Sequence, residues 1–296
     1  MSIRTDRLTK RYGKAIAVDG VSIKARDRQI YGLIGLNGAG KSTTLSMLCT
    51  LTRISSGDAT VAGYHIHHEP GNVRKVVGFL PQDVTVPGHW KVLPFLRYLA
   101  ALKGDASPSR LDEVVSMFGL DPFLQKKFGK LSHGQKKMIL IAQAYLNDPA
   151  VILLDEPFTG LDPHYRHLIR NHIMDQRERR TQLISTHLLN EVEGIADRVG
   201  VLHEGTLLKE DDVSTITGGY VVRLRLGSHK ASIIKPIQSL RAVTSVSSEG
   251  NELIIRMRHD GTKALMKKVA TLPTTLTSFK RGSSLEEYFL HAIQKR

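Results

Sequence analysis

The aliphatic run Ile30-Tyr31-Gly32-Leu33-Ile34 passes without a break into Gly35-Leu36-Asn37-Gly38-Ala39-Gly40-Lys41-Ser42, and a helical pattern follows. Strand, glycine-rich turn and helix in that order match the P-loop pattern; the flanking elements separate it from an ordinary glycine-rich turn. Glycines let the backbone curl until several N–H groups face one anion, and the N-terminus of the next helix adds partial positive charge. Gly35, Asn37, Gly38, Ala39, Gly40, Lys41, Ser42 and Thr43 are therefore candidate phosphate-binding positions. Lys41 is expected to neutralise β- and γ-phosphates, and Ser42 to offer its hydroxyl oxygen to Mg2+. The pattern alone serves GTPases and kinases as well as ATPases.

Such a loop needs a sheet behind it, and the first 200 or so residues supply the pattern of one. Val76-Val77-Gly78-Phe79-Leu80, Val151-Ile152-Leu153-Leu154 and Thr181-Gln182-Leu183-Ile184-Ser185 read as further strands alternating with longer helical segments. That alternation predicts an α/β domain whose ligands sit at the carboxyl ends of its strands. Residues 3–11 and 20–25 read as strands of a small antiparallel flap. Between Pro94 and Leu146 the pattern turns helical, with Phe95, Tyr98, Leu99 and Leu102 on one predicted face and Leu111, Val114, Val115 and Phe118 on another. A helical subdomain over about residues 84–147 is the expectation.

The character changes near Gly218-Gly219. Beyond it, Tyr220 to Leu226, Ala231 to Leu240, a hairpin about Glu249-Gly250-Asn251, Lys263 to Ala270 and Thr274 to Lys280 give the order β-α-β-β-α-β. Ser283-Ser284-Leu285-Glu286 has the form of a capping box, opening a last helix with Leu285, Tyr288, Phe289 and Ile293 on one face. The predicted fold class is α/β: a P-loop NTPase with an antiparallel β flap and a helical subdomain over 1–216, plus a small α+β, ferredoxin-like accessory domain over 217–296.

Composition bounds the setting. No stretch approaches the roughly 20 apolar residues of a membrane-spanning helix, and Met1-Ser2-Ile3-Arg4-Thr5-Asp6 lacks a signal peptide's apolar run, so a cytosolic protein is expected. The single Cys49 excludes a disulfide framework and reads as a buried thiol. Of the net charge of +14, residues 217–296 carry +9, from 14 Lys/Arg against 5 Asp/Glu. An anionic partner or a solvated basic surface each accounts for this asymmetry.

Two further motifs narrow the chemistry. Val151-Ile152-Leu153-Leu154-Asp155-Glu156-Pro157 ends a buried strand in adjacent carboxylates. Successive side chains leave a strand in opposite directions, so Asp155 can face a metal while Glu156 addresses an attacking water as general base. Leu131-Ser132-His133-Gly134-Gln135 opens a helix in which Ser132 and Gln135 form a capping box. That geometry requires no ligand, yet it also presents an anion site.

With these residues in place, Ile3 to about Asp212 resembles the ATP-binding cassette superfamily, whose signature Leu-Ser-Gly-Gly-Gln appears here as Leu-Ser-His-Gly-Gln. The resemblance implies an ATPase with Mg2+ as cofactor, working as a head-to-tail dimer. Ser132, Gly134 and Gln135 of one subunit would complete the ATP site of the other. It further implies Tyr12 as an adenine-stacking aromatic, Gln82 as a metal-sensing glutamine, Asp162 in Gly160-Leu161-Asp162-Pro163 as a further nucleotide-site residue, and His187 as a γ-phosphate contact that orients Glu156. Ser42, Gln82 and Asp155 would be the metal-side oxygens. At His133, two readings stay open: a side chain turned away from phosphate, or a pH-sensitive imidazole at the dimer interface, since histidine titrates between about pH 5 and 8.

The resemblance also implies partners. A cassette without a membrane span fits the cytoplasmic face of the membrane, peripheral to an integral-membrane permease and paired with a second cassette, the homodimer being the expectation. Ser284-Leu285-Glu286-Glu287-Tyr288-Phe289-Leu290 is similar to the tails of drug, ion and polysaccharide exporter ATPases, which favours export. Val86, Trp90, Val92 and Phe95 are candidates for the permease-facing surface, packing within the helical subdomain being the alternative. A soluble ATPase acting on ribosomes or nucleic acid through the basic C-terminal domain is the competing function. The aromatic stacking motif of an RNA-binding sheet is lacking there, so nucleic acid is not expected. His65, His67 and His68 lack the cysteine or paired carboxylates of a transition-metal site and read as a polar loop.

Overall fold

The computed structural model describes residues 1–104, 107–217, 221–227, 231–258, 260–281 and 285–294. It divides into two compact units, Met1–Asp211 together with the last residues from Ala292, and Asp212–His291.

In the first unit, short aliphatic segments with both faces covered make a parallel sheet. Ile30–Ile34 lies between Arg198–His203 and Thr181–Thr186, followed outward by Val151–Asp155 and Val77–Leu80, all parallel to their neighbours. Every residue of Ile30–Ile34, Val151–Asp155 and Thr181–Thr186 is buried, which is why they read as continuous apolar runs rather than alternating ones. Because these strands run in one direction, the segments following each of them, including Gly35, Gln82, Glu156 and His187, emerge at one edge.

The sheet's outermost strand, Thr206–Asp212, was not among the predicted strands, nor was Arg198–His203. Thr206–Asp212 holds no fully buried residue and carries Lys209, Glu210, Asp211 and Asp212, as an edge strand does, so it lacks an apolar stripe to betray it.

The antiparallel flap is built from Ile3–Tyr12, Ala15–Val21, Ser56–Val61 and Tyr64–His65, with Lys24–Ala25 paired at the side. Its second strand begins earlier than predicted. Gly13, at φ 59, sets a tight turn that pairs Tyr12 with Ala15; of the expected 20–25 strand, Gly20 and Val21 end this one and Lys24–Ala25 forms a separate short strand.

Helices Val92–Leu102, Pro108–Met117 and His133–Ala142 make up the helical region. Leu111, Val114, Val115 and Phe118 are buried as expected. On Val92–Leu102 the predicted face is corrected: Val92, Phe95, Leu96 and Ala100 are buried, whereas Tyr98 and Leu102 are 52% and 66% exposed. Apolar residues occupy most positions of this helix, so periodicity alone could not choose the face. Phe95 packs edge-on to Phe128 at 4.9 Å and Trp90 edge-on to Phe95 at 6.3 Å. Val92 and Phe95 therefore belong to the core; Val86 and Trp90 are half-buried. Cys49 is buried, and burial pushes its thiol up to about 12.

The second unit has a four-stranded antiparallel sheet in the order Val243–Glu249, Glu252–Met257, Val221–Leu226, Leu276–Arg281. Each β-α-β pair is split by an intervening antiparallel strand, the ferredoxin-like arrangement. Val222, Leu224, Leu226, Leu253 and Ile255 pack with Ile233 and Ile237 of helix Ala231–Gln238 and Leu265 of helix Thr262–Ala270. In helix Leu285–Gln294, Leu285, Tyr288 and Phe289 are buried and Ile293 half-buried; Ser283 and Ser284 of the predicted capping box lie outside the described residues.

Close packing behind the sheet supplies a test. A Cβ on Gly78 would lie 1.9 Å from the Ala144 carbonyl oxygen and 2.8 Å from Ile152 Cδ1. Backbone cannot yield as a side chain does, so Gly78→Ala is expected to destabilise the first unit by about 1–3 kcal/mol or more. Thermal unfolding of the full chain checks this; an unchanged transition would contradict the packing described.

Candidate active site

The loop Gly35–Ser42 is shaped by contacts that exclude side chains. A Cβ on Gly35 would lie 2.4 Å from the Leu202 carbonyl oxygen, and one on Gly40 2.5 Å from that of Ala17. Gly38 and Gly40 also adopt left-handed φ values of 79 and 102, which glycine accepts without steric cost. Helix Lys41–Leu48 starts at the end of this loop. Asn37, Gly38, Ala39, Gly40, Lys41, Ser42 and Thr43 line a cleft of about 390 Å³ together with Ala17, Gln82 and Glu156. A ring of backbone N–H groups, a helix start and an ammonium around such a space suit a polyphosphate.

Lys41 is buried, donating to the carbonyl oxygens of Gly35 at 2.8 Å and Leu36 at 3.1 Å. Its Nζ also stands 3.2 Å from Glu156 Oε1. Ser42 Oγ approaches Gln82 Oε1 at 3.5 Å, so two of the predicted metal-side oxygens are adjacent. Asp155, the third, ends its strand buried and accepts a short hydrogen bond from Ser185 Oγ. These are hard oxygen donors in small number, the donor set that Mg2+ uses when phosphates and water fill the rest of its octahedron.

Glu156 is the most constrained group in the cleft. It is 3% exposed and has a left-handed φ of 48, which costs strain in a residue with a Cβ. Its amide donates to Ser185 O at 3.1 Å and Ser185 Oγ at 3.2 Å. Its Oε2 faces His187 Nδ1 at 2.9 Å and accepts from Thr159 Oγ1 at 3.0 Å. Burial pushes the carboxyl pKa up, but the His187 hydrogen bond and the charges of Lys41 and His187 outweigh it, holding the group below its ordinary value. A buried, ionised carboxylate at the cleft wall is thus supported by a cation and two hydrogen-bonding side chains.

The other predicted residues lie outside this cleft. Ser132 caps helix His133–Ala142: its Oγ accepts from Gln135 N at 3.3 Å, while its own N–H donates to Gln135 Oε1 at 3.1 Å, the expected capping box. Gly134 is buried beneath the Tyr165 ring. The exposed His133 extends towards Gly160 of its own chain. Asp162 caps helix Pro163–Asp175, accepting from Tyr165 N at 3.0 Å. Tyr12 ends its strand 53% exposed, with Lys10 Nζ 4.8 Å from its ring centroid. Neither it nor the Ser132–Gln135 segment lines the P-loop cleft. His65 pairs with Asp58 at 2.6 Å and accepts from the amides of His67 and His68. Among the described residues, no group of three or more His, Cys, Asp or Glu is placed to hold a metal ion.

Three residues of the site carried no sequence signal of their own. Ser185 and Thr159 grip Asp155 and Glu156 from positions that read as strand end and loop. Lys137, on the helix opened by Ser132, is buried, and burial drives its ammonium pKa down against the pull of Asp155, Asp83 and Glu156. Beside Gln135 and Lys136 in the sequence, it reads as one more residue of the helix's polar start.

Fold and site together define a P-loop nucleoside triphosphatase. Residues 18–159 match the family model for ABC transporters. The chain is 31% identical to the linearmycin resistance ATP-binding protein LnrL of Bacillus subtilis (strain 168), over 86% of this chain and 84% of that protein. It is 30% identical to the daunorubicin/doxorubicin resistance ATP-binding protein DrrA of Streptomyces peucetius, over 98% of this chain and 91% of that one. The solved structure of an ATP-binding subunit of an ABC transporter superposes with a TM-score of 0.66 at 27% identity, covering 73% of this chain and 92% of its own. The chain belongs to the ABC transporter family, as an ATP-binding, ATP-hydrolysing subunit.

The lowered carboxyl pKa has a measurable consequence. A group whose pKa falls on folding stabilises the fold fully above its unfolded value, and the contribution is lost as pH falls through the lower folded value. Glu156→Gln removes that contribution. The stability of wild type relative to this variant is therefore expected to decrease between about pH 7 and about pH 3. Chemical denaturation at both pH values checks it; a difference independent of pH would contradict the ion-paired state of Glu156.

Proposed function

We propose that this chain is the cytoplasmic motor of an exporter, hydrolysing Mg2+-ATP at sites shared between two copies and transmitting closure of the pair to a separate membrane permease. The observation carrying this reading is the division of the site. P-loop, Gln82 and Glu156 line one cleft, while the capped helix start at Ser132, an anion site by its geometry, lies outside it. A head-to-tail partner would bring its own Ser132, Gly134 and Gln135 to that cleft. ATP would then form part of the interface, and its cleavage would remove contacts that hold the closed pair.

In this mechanism the loop amides from Gly38 to Thr43 and the Lys41 ammonium bind the β- and γ-phosphates. Tyr12 stacks on adenine from the edge of the flap, and Asp162, the cap of helix Pro163–Asp175, is a further nucleotide-site residue. Ser42, Gln82 and Asp155 would hold Mg2+, which when bound neutralises phosphate charge. Glu156, kept ionised by Lys41, His187 and Thr159, accepts a proton as a water oxygen bonds to the γ-phosphorus and the bond to the β–γ bridging oxygen breaks. His187 holds Glu156 Oε2 and reaches the γ-phosphate. Stabilising the Glu156 carboxylate makes it a weaker base, so its strength here is placement more than basicity.

Export is favoured by the names of the relatives, two of which are resistance ATP-binding proteins. No helix among the described residues is long and apolar enough to cross a membrane, which fits a permease on another chain and a peripheral position at the cytoplasmic face.

Glu156→Gln is expected to retain ATP binding, to lose hydrolysis by about 10²- to 10⁴-fold, and to accumulate as an ATP-bound dimer in gel filtration. Wild-type turnover in that variant would overturn the base assignment. Affinity purification from detergent-solubilised membranes is expected to bring down a polytopic partner. Recovery only with ribosomes or nucleic acid would instead favour a soluble ATPase acting through the basic C-terminal unit.

A further inference from the structure

His133 stands one residue inside the helix capped by Ser132, and its ring faces a loop of its own chain. A Cβ built on Gly160 would lie 3.1 Å from His133 Cε1, with His133 Nδ1 and Nε2 the next nearest atoms at 3.7 and 3.8 Å. No other group comes as close to that side of Gly160. The next residue of the helix, Gly134, packs so tightly under Tyr165 that a Cβ there would lie 2.2 Å from the ring. Tyr165 is in turn the residue whose amide Asp162 caps. The helix start therefore touches both ends of the segment from Gly160 to Tyr165.

That segment is joined to Glu156. Thr159, the neighbour of Gly160, donates from its hydroxyl to Glu156 Oε2 at 3.0 Å, and its amide points to the Glu156 carbonyl oxygen at 3.4 Å. The turn is short, and Gly160 is in the left-handed region at φ 74. A displacement of Gly160 has little slack to absorb it before it reaches the Thr159 hydroxyl.

We propose that His133 is a positioning residue for the Glu156 of its own chain, acting through Gly160 and Thr159. The inference rests on the shared-site reading. In that arrangement the helix start serves the nucleotide on the partner's P-loop, whereas Glu156 serves the nucleotide on its own. His133 thus links the two sites: closure of the helix start onto the partner's nucleotide presses the imidazole against Gly160 and sets Thr159 and Glu156 for the other site. A hydrogen bond to the reacting carboxylate is sensitive to such small shifts, because misplacement of a reacting group by about 1 Å costs up to about 10²-fold in rate.

The test is which subunit's Glu156 depends on His133. Mixed dimers of the full chain, purified through two different tags, carry one Glu156→Gln subunit so that a single working base remains. Turnover is compared with a dimer of Glu156→Gln and wild-type subunits. With His133→Ala placed in the subunit that retains Glu156, kcat is expected to fall about fivefold with KM little changed. With His133→Ala in the same subunit as Glu156→Gln, kcat is expected to stay at the reference value. The reverse pattern, loss only when both changes share a subunit, would mean that His133 acts on the partner's nucleotide directly and would overturn the proposal.

A second measurement needs no turnover from mixed dimers. In the unmixed full chain, kcat loss from Gly160→Ala is expected to be smaller in a His133→Ala background than in wild type, because the added methyl no longer meets the imidazole. His133→Gln, which keeps a planar group of similar reach, is expected to recover most of the kcat lost in His133→Ala. Independent effects of the two positions, or no recovery by glutamine, would sink the linkage. Failure of Glu156→Gln to form an ATP-bound dimer would instead remove the shared-site reading itself, so the two failures are distinguishable.

Discussion

The site turns on one buried carboxylate. Glu156 is closed off from solvent by the sheet edge and the P-loop, and an isolated ion there would cost several kcal/mol. It is tolerable because Lys41, His187 and Thr159 converge on its two oxygens. Thr159 belongs to the turn of Glu156 itself, whereas Lys41 and His187 come from two distant stretches of chain, so the strand order that places Thr181–Thr186 between Ile30–Ile34 and Val151–Asp155 is what makes the charge tolerable. The left-handed backbone at Glu156 belongs to the same arrangement: Ser185 holds its amide with both carbonyl and hydroxyl, fixing a conformation that a residue with a Cβ otherwise avoids.

That dependence explains what could be read from the chain and what could not. Glu156 and His187 each sit immediately after a hydrophobic strand, and Lys41 closes the glycine-rich loop that follows another, so the same local pattern announces both the strand and the functional residue beyond its end. The capping box of Ser132 and Gln135 was legible for a similar reason: both its halves lie within one turn of helix. Ser185 and Thr159 hold the carboxylates no less firmly, yet their partners are set by register and turn shape. Ser185 faces Asp155 because two parallel strands pair at that level, a fact about the sheet rather than about either segment.

The misread helix face teaches the same lesson from packing. In Val92–Leu102 apolar residues surround most of the cylinder, and Phe128, distant in the sequence, decides which of them is covered by taking Phe95 edge-on. Where apolar residues occupy only one stripe, as at Leu111, Val114 and Val115, the prediction held. The strand Val221–Leu226 was readable because its residues alternate from Val222 onward: Val222, Leu224 and Leu226 pack with the helices, with Arg223 and Arg225 between them. Its helices Ala231–Gln238 and Thr262–Ala270 contain Lys235, Lys263, Lys267 and Lys268 and no acidic residue, so much of the chain's charge asymmetry lies on the outer side of a helical layer.

The departure at His133 is intelligible only with both of its neighbours in view. A side chain at this position needs an empty volume, and Gly134 offers none, since Tyr165 already fills the space above it. The volume lies instead beside Gly160, whose backbone requires glycine for its own reasons at φ 74 and so leaves room that no side chain of the turn can claim. An imidazole set there fills the space between the helix start and the turn. Stiffness gained in this way is not neutral, because the turn it braces ends at the hydroxyl that holds Glu156. On the proposed reading, the imidazole at this helix start ties the segment opened by Ser132 to the turn whose Thr159 hydroxyl holds Glu156.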